Sequence, residues 1–207
     1  MIFSRQEKEL IESAVKAAES GSRGEIVPVV VAVSGDYSRV ANRLGFFGFL
    51  LASLAAYWAH IRFPFLDLPY LFGLQLVGSA IGWGFGRLPG VVRLLMGEKK
   101  LGAEVHEAAF AAFTRNGLHH TQEETGILIF VSLLEHRVEI LADRGIHAKV
   151  GEDFWKIEVQ KMVLGLREKR AAEALAAVIG DMGEKLREHF PSSGADTNEL
   201  SNELRSR

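Results

Sequence analysis

The hydrophobic pattern changes character twice along the 207 residues. Two apolar runs dominate the first half, LGFFGFLLASLAAYWA (Leu44–Ala59) and YLFGLQLVGSAIGWGFG (Tyr70–Gly86), with IRFPFLD between them, and neither contains Lys, Arg, Asp or Glu. A helix that crosses a bilayer needs roughly 17–25 apolar residues. With the flanking Ile61, Phe63 or Leu68, each run reaches the lower end of that range. Helices in water carry a polar face, and these runs carry almost none. The pattern therefore predicts a transmembrane helical hairpin over 43–87, with spans at about 44–61 and 68–86. The competing reading is a helical hairpin buried in a soluble core.

The flanks read differently. Ser4-Arg5-Gln6-Glu7 fits a capping box, with Ile2 or Phe3 available as a staple, and Leu10, Ile11, Ala14, Val15 and Ala18 recur at helical spacing up to Gly21. This predicts a helix from about Arg5 to Ser20. Glu25 to Ser34 is Val-rich and apolar on both faces, as in a strand covered on two sides. Pro28 cannot donate to a ladder, so this strand lies near an edge or is bulged there. Beyond the apolar block, Leu88–Met96 fits an interfacial segment. Lys100 to Asn116 reads as an amphipathic helix with Leu101, Val105, Ala108, Ala109, Ala112 and Phe113 inward, closed by Gly117. Gly126 to Leu134 is a central strand, Glu135-His136 a tight turn, and Arg137 to Asp143 an alternating strand, hence an antiparallel hairpin. Two helices follow, one from Gly151 and one from Arg170, with Gly165 marking their joint. The polar stretch 191–207 predicts a disordered tail.

The order helix, strand, helix, strand, strand, helix, helix predicts an α/β (α+β) fold. It is a small mixed β-sheet with helices on both faces, interrupted by the hairpin. The α/β domain is then discontinuous, 1–38 and 98–190. Because the apolar block lies in one loop of that domain, an even number of spans returns the chain to the side it left.

Charge sets the orientation. Arg39 and Arg43 precede the first run, and Arg87, Arg93, Lys99 and Lys100 follow the second. Only Arg62 lies between them. The positive-inside rule places both termini and the α/β domain in the cytoplasm, at the inner membrane. MIFSRQEKELIES has no apolar core, so no cleavable signal peptide is expected. A net charge of −2 offers no footprint for nucleic acid. Cys is absent, which excludes disulfides, thiolate nucleophiles and Cys-based zinc sites. Gly48, Ala52 and Ala56, and Gly78, Gly82 and Gly86, repeat at four-residue spacing. Such stripes allow close helix approach and could join a membrane-protein partner or a second copy, although membrane helices are Gly-rich in any case. Tyr57, Trp58, Tyr70 and Trp83 lie towards the span ends, as interfacial aromatics do.

Chemistry is sparsely signalled. Asp143 precedes a glycine turn, and Glu152 with Asp153 opens the following helix. If these carboxylates converge, they could hold Ca²⁺ or Mg²⁺, which take several oxygen ligands, and a bound ion polarises phosphoryl oxygens. The same residues are also ordinary turn and helix-start residues. His119 or His120, in the loop before Thr125-Gly126, could act as an acid, a base or a ligand, or simply pack beneath the strand ends. No GxxxxGK[ST], GxSxG, HExxH or CxxC motif occurs.

GEIVPVVVAV, followed by TGILIFVSLLEHRVEILADRGI and a helix that begins GEDFW, resembles the TPM domain family. The similarity is strongest in TGILIFVS…RVEILADRGI and is greatest to a bacterial branch with two membrane helices inside the domain. The resemblance implies an integral membrane protein and an acid-phosphatase-like relative or a photosystem-repair type of maintenance factor. It also makes Glu25 similar to the acidic position in the family's opening strand, as a further metal ligand. After the third strand this chain reads Asp143-Arg144-Gly145-Ile146-His147, where relatives often read Gly-x-Gly-Leu-Glu. Two functions follow as expectations. The first is a partner-binding or membrane-complex assembly and maintenance module. The second is a divalent-metal-dependent phosphatase-like hydrolase tethered to the membrane.

Overall fold

The computed structural model describes residues 3–63, 68–120, 124–192 and 204–206. Pro64 and Asp67 of the inter-span loop, Ile2, Thr121, and 193–203 and 207 of the expected tail lie outside these residues. The chain divides into two compact units, Met1–Ser34 with Gly102–Arg207, and Gly35–Leu101.

In the first unit, α1 (Arg5–Glu19) begins on the capping box. Ser4 Oγ accepts the Glu7 N–H at 3.3 Å, and the Ser4 N–H donates to the Glu7 carboxylate at 2.7 Å. Phe3 is buried in the core. Four strands follow in the sheet order β3-β2-β1-β4. They are β1 (Glu25–Val31), β2 (Gly126–Ser132), β3 (Arg137–Ala142) and the two-residue β4 (Arg205–Ser206). β1 runs parallel to β2 from Glu25↔Gly126 to Val31↔Ser132, and β2 and β3 form the antiparallel hairpin. Parallel neighbours require a crossover. Here it comprises residues 32–125, which include the whole second unit and α5 (Glu98–Arg115).

Side chains alternate across the sheet, and both sets are apolar. Ile26, Val30, Ile127, Ile129, Val131 and Ile140 share a core with Ile11 and Val15 of α1, Met162 of α7 (Glu152–Arg167), and Leu175, Ile179 and Met182 of α8 (Ala171–His189). Val27, Val29, Leu128, Phe130 and Leu141 pack instead against Val105, Ala109 and Ala112 of α5 and against Leu118. The fold is the expected mixed sheet with helices on both faces, but the layers are unequal: among the described residues, the long helices α1, α7 and α8 lie on one side and α5 on the other.

The outer side of β1 is closed by three separate devices. The Glu25 N–H points to Thr125 on the β2 side (3.2 Å), so the even-numbered N–H groups point outward. Ile26 donates to the Glu19 carboxylate at 2.8 Å, Pro28 has no N–H, and Val30 lies in the short pairing with β4. Pro28 therefore sits where a donor would have been wasted, and the β1–β2 register runs through it without a bulge.

Three local expectations are corrected. Gly165 does not mark the joint between the last helices, since α7 continues to Arg167 and the turn is made by Lys169 at φ +60°. Gly165 is small because α8 crosses there, and a Cβ on it would lie 2.2 Å from that of Ala174. The turn after β3 contains a short helix, α6 (Arg144–His147), because Asp143 caps the Arg144 N–H at 2.7 Å. At the C-terminus, Pro191 bridges to Ser22, Leu204 is buried, and β4 pairs with β1. These described residues of the 191–207 stretch are held by the sheet rather than loose.

The second unit contains α2 (Ser38–Arg62), α3 (Leu68–Phe85) and α4 (Pro89–Met96). α2 starts six residues before the expected span because Asp36 accepts the Ser38 N–H at 2.9 Å and its hydroxyl at 3.1 Å, which turns the polar approach into a first helical turn. Its 25 residues span about 37 Å at the usual rise. Among the described residues, α2 is the one helix long and apolar enough to cross a membrane by length and composition. The 18 residues of α3 give about 27 Å, just short of a typical hydrocarbon layer.

Candidate functional site

The carboxylates singled out in the sequence do not assemble into one ligand set. Glu25, Gly126 and Asp143 share one row of the sheet, since Gly126 pairs with Glu25 and accepts the Asp143 N–H at 2.9 Å. The strand register puts Glu25 and Asp143 on the α5 side, two strands and roughly 10 Å apart. Between them, Leu118 of the short 3-10 helix Leu118–His120 lies over Gly126, where a Cβ would meet the Leu118 carbonyl oxygen at 2.6 Å. Leu118 thus fills the space that a shared ion would need. Glu25 is buried at the strand start, and Thr125 beside it donates to the Arg23 carbonyl at 2.8 Å. Asp143 spends one oxygen on its helix cap, and its other oxygen is buried with no hydrogen-bond partner.

Glu152 and Asp153 are exposed in the first turn of α7 and pair with Lys156 at 3.6 and 3.3 Å. The hydrogen bond that Lys156 donates to Asp153, followed by the charges of Asp153 and Glu152, raises the Lys156 pKa. Carboxylates so placed serve the helix start. His119 is exposed. Among the described residues, no group of three His, Asp or Glu side chains is arranged to hold a metal. The residues present do not fit the six to eight oxygen ligands typical of Ca²⁺.

Sequence reasoning missed three polar groupings. His106 of α5 is hydrogen-bonded to Glu139 of β3. At the C-terminal ends of β1 and β2, the Ser34 hydroxyl donates to Ser132 Oγ at 2.7 Å and the Ser34 N–H to Glu135 at 2.9 Å, while Ser132 donates to the same buried carboxylate. Glu158 is almost fully buried on α7, bonded at 2.7 Å to Lys161, which also reaches Asp181 of α8 at 2.7 Å. Burial raises the Glu158 pKa more than Lys161 lowers it. No spacing rule exposes the first two groups, because each joins elements distant in sequence, whereas Glu158 and Lys161 are an i,i+3 pair on α7 and only the Asp181 contact depends on the packing of α8.

Two larger features stand out. Beside β1, a cleft of about 770 Å³ is lined by Val29, Val31 and Phe130 of the sheet and by the C-terminal half of α5, with Ser34, Arg115, Asn116 and Arg205 as its polar lining. The only advance signal was the run of alanines in α5, too small to cover a whole sheet face.

The other feature is the surface of the helical pair. Leu51, Trp58, Leu76 and Ile81 are each about two-thirds exposed, as are many of their apolar neighbours. The contact between α2 and α3 is made instead by small residues. A Cβ on Gly48 would lie 2.2 Å from the Gly78 carbonyl oxygen, one on Gly82 2.2 Å from that of Leu44, and one on Gly86 2.5 Å from Ala41 Cα. The Gly78, Gly82 and Gly86 stripe, expected to face a partner or a second copy, is thus occupied by α2 of the same chain. Arg87 lies over the Trp83 ring at 3.6 Å.

Comparisons with known proteins place the fold. No curated protein sequence matches the chain. The chain is similar in structure to the BA42 protein of the psychrophilic bacterium Bizionia argentinensis, solved by NMR, with a TM-score of 0.61 and 18% identity over 99% of this chain and 95% of that one. At that identity the likeness is one of fold. A family model for the TPM domain matches residues 93–185, which takes in α5, the β2–β3 hairpin and most of the two last helices, and begins after β1. Over Arg93 to Lys185 the chain is therefore similar to the TPM domain family.

Proposed function

We propose that this chain is a membrane-anchored TPM-domain protein of the kind in which a two-span hairpin interrupts the domain. Its α/β unit is held at the cytoplasmic surface to engage a partner or to maintain a membrane complex. The observation that supports this most is the reversed arrangement of α2 and α3, with large apolar side chains outward and glycines inward. Each large side chain left in water forgoes roughly 1.5–3 kcal/mol of transfer energy. A continuous sleeve of them suits lipid. Further support comes from the basic residues at the terminal ends of the hairpin and from Trp83 with Arg87 near the end of α3. α3 reaches a full span by adding the flanking Gly86 or by thinning the bilayer slightly, at a modest cost.

The absence of Cys from the chain makes the test direct. Single cysteines replace Glu12, Phe65 and Ser206, and each variant in native membranes is treated with an impermeant maleimide. Resistance to alkaline carbonate extraction is expected, with Phe65→Cys labelled from outside and the other two labelled only after the membrane is opened. Opposite accessibility of Glu12→Cys and Ser206→Cys means a single span. Release by carbonate removes the membrane reading altogether.

A further inference from the structure

We infer that the cleft beside β1 binds an amphipathic anion, an apolar chain or ring that ends in a carboxylate or phosphate group. The site follows from the unequal layers of the sheet. A single helix covers the α5 side, and the small Ala108, Ala111 and Ala112 leave Val29, Val31 and Phe130 open to the cleft. Its volume, about 770 Å³, lies within the range of roughly 300–1,000 Å³ found for small-molecule sites. It also sits towards the C-terminal ends of parallel strands, where such sheets tend to bind ligands.

The polar lining carries the chemistry. Arg115 and Arg205 both line the cleft, and among the described residues no Asp or Glu does. Among the described residues, neither guanidinium makes a side-chain hydrogen bond or ion pair. Guanidinium groups match carboxylates and phosphates through paired hydrogen bonds. A small inorganic anion would leave the apolar lining uncovered, and a neutral hydrocarbon would leave two cations unmatched. An added peptide strand is disfavoured, because Glu19, Pro28 and β4 already close the outer side of β1. Of these occupants, an amphipathic anion alone satisfies both halves of the site. The inference does not depend on whether the helical hairpin enters a bilayer.

The test uses the full chain in phosphatidylcholine nanodiscs, with empty nanodiscs as the blank, and equilibrium dialysis of radiolabelled decanoate, decyl phosphate, decanol and inorganic phosphate. Retention of decanoate or decyl phosphate above the blank is expected, and the stronger of the two identifies the head group. Arg115→Gln with Arg205→Gln should weaken that binding at least tenfold, Ala111→Trp should do the same by filling the cleft, and the double Lys variant should recover part of it. Arg115 is exposed at a helix end, so Arg115→Gln alone, expected to weaken binding about threefold or more, stands in if circular dichroism shows the double variant misfolded. Binding unchanged by these substitutions, decanol or inorganic phosphate held as tightly as the amphipathic anions, or no retention above the blank would overturn the inference.

Discussion

In the α/β unit, Leu175, Ile179, Met162 and Ile129 have no exposed surface, and large side chains meet across the layers. In Gly35–Leu101 the sizes are exchanged. Leu51, Leu76 and Ile81 are about two-thirds exposed, while the innermost contacts are glycine against backbone. Under the proposed membrane reading, the two units follow different solvents. In water the gain comes from removing large apolar groups from solvent. Among lipid chains that gain vanishes between helices, so close backbone approach through small residues becomes the main source of cohesion. One chain can hold both solutions because the helical pair is inserted whole between β1 and α5.

Substitutions that exchange the two packing rules test this contrast. The largest effect is expected from Gly82→Leu, whose first added carbon already meets the Leu44 carbonyl oxygen at 2.2 Å. With cysteines in place of Gly45 and Trp83, whose Cβ positions lie 3.3 Å apart, oxidation should cross-link α2 to α3, and adding Gly82→Leu should abolish the cross-link. Retained cross-linking would mean that the helices do not pack through this stripe.

Within the α/β unit the opposite change is the damaging one. Leu175→Ala should cost about 2–5 kcal/mol through a cavity in the three-helix core, read from denaturant unfolding of the full chain. Next comes Leu51→Lys on the outer face of α2. A charge near the centre of a span costs roughly 2.5–3.5 kcal/mol for insertion, so the membrane-integrated fraction should fall. If the helix stood in water, the same substitution would raise solubility, so the sign of the effect decides between the two solvents.

The smallest effect concerns Glu158. Its pKa is raised above the usual 4.5, first by burial, so the folded chain holds this proton more tightly than the unfolded chain does. The associated stability is fully present below pH 4.5 and is lost as pH rises through the raised value. Glu158→Gln should flatten this part of the dependence of the melting midpoint on pH, and an unchanged slope would assign it to other groups.

Much of the fold was legible because it is written in local periodicity. The capping box at Ser4, the two-sided apolar strands, the hairpin turn at Glu135-His136 and the helical runs all have short-range physical causes. Pro28 showed that β1 lies near an edge, because a missing donor is tolerated only there. Gly165 misled, since glycine is read as a break unless the helix that crosses it is known. The candidate ligands misled for a related reason. Asp143 and Glu25 share a row of the sheet, as their positions at strand ends allow, but Leu118 fills the gap between them. Glu152 and Asp153 stand four and three residues before Lys156, helical ion-pair spacings that let Lys156 take up both charges.

Sequence alone determined the elements, the mixed sheet between helices, and the apolar block that has no charged side chain of its own. Those properties depend on residues a few positions apart. Only the tertiary structure decided which glycines face each other, which carboxylates are capped or buried, and that one helix must cover a face of the sheet too wide for it. These depend on residues brought together from far along the chain, as Arg115 and Arg205 are at the cleft. Their shared place in the cleft lining is a consequence of packing.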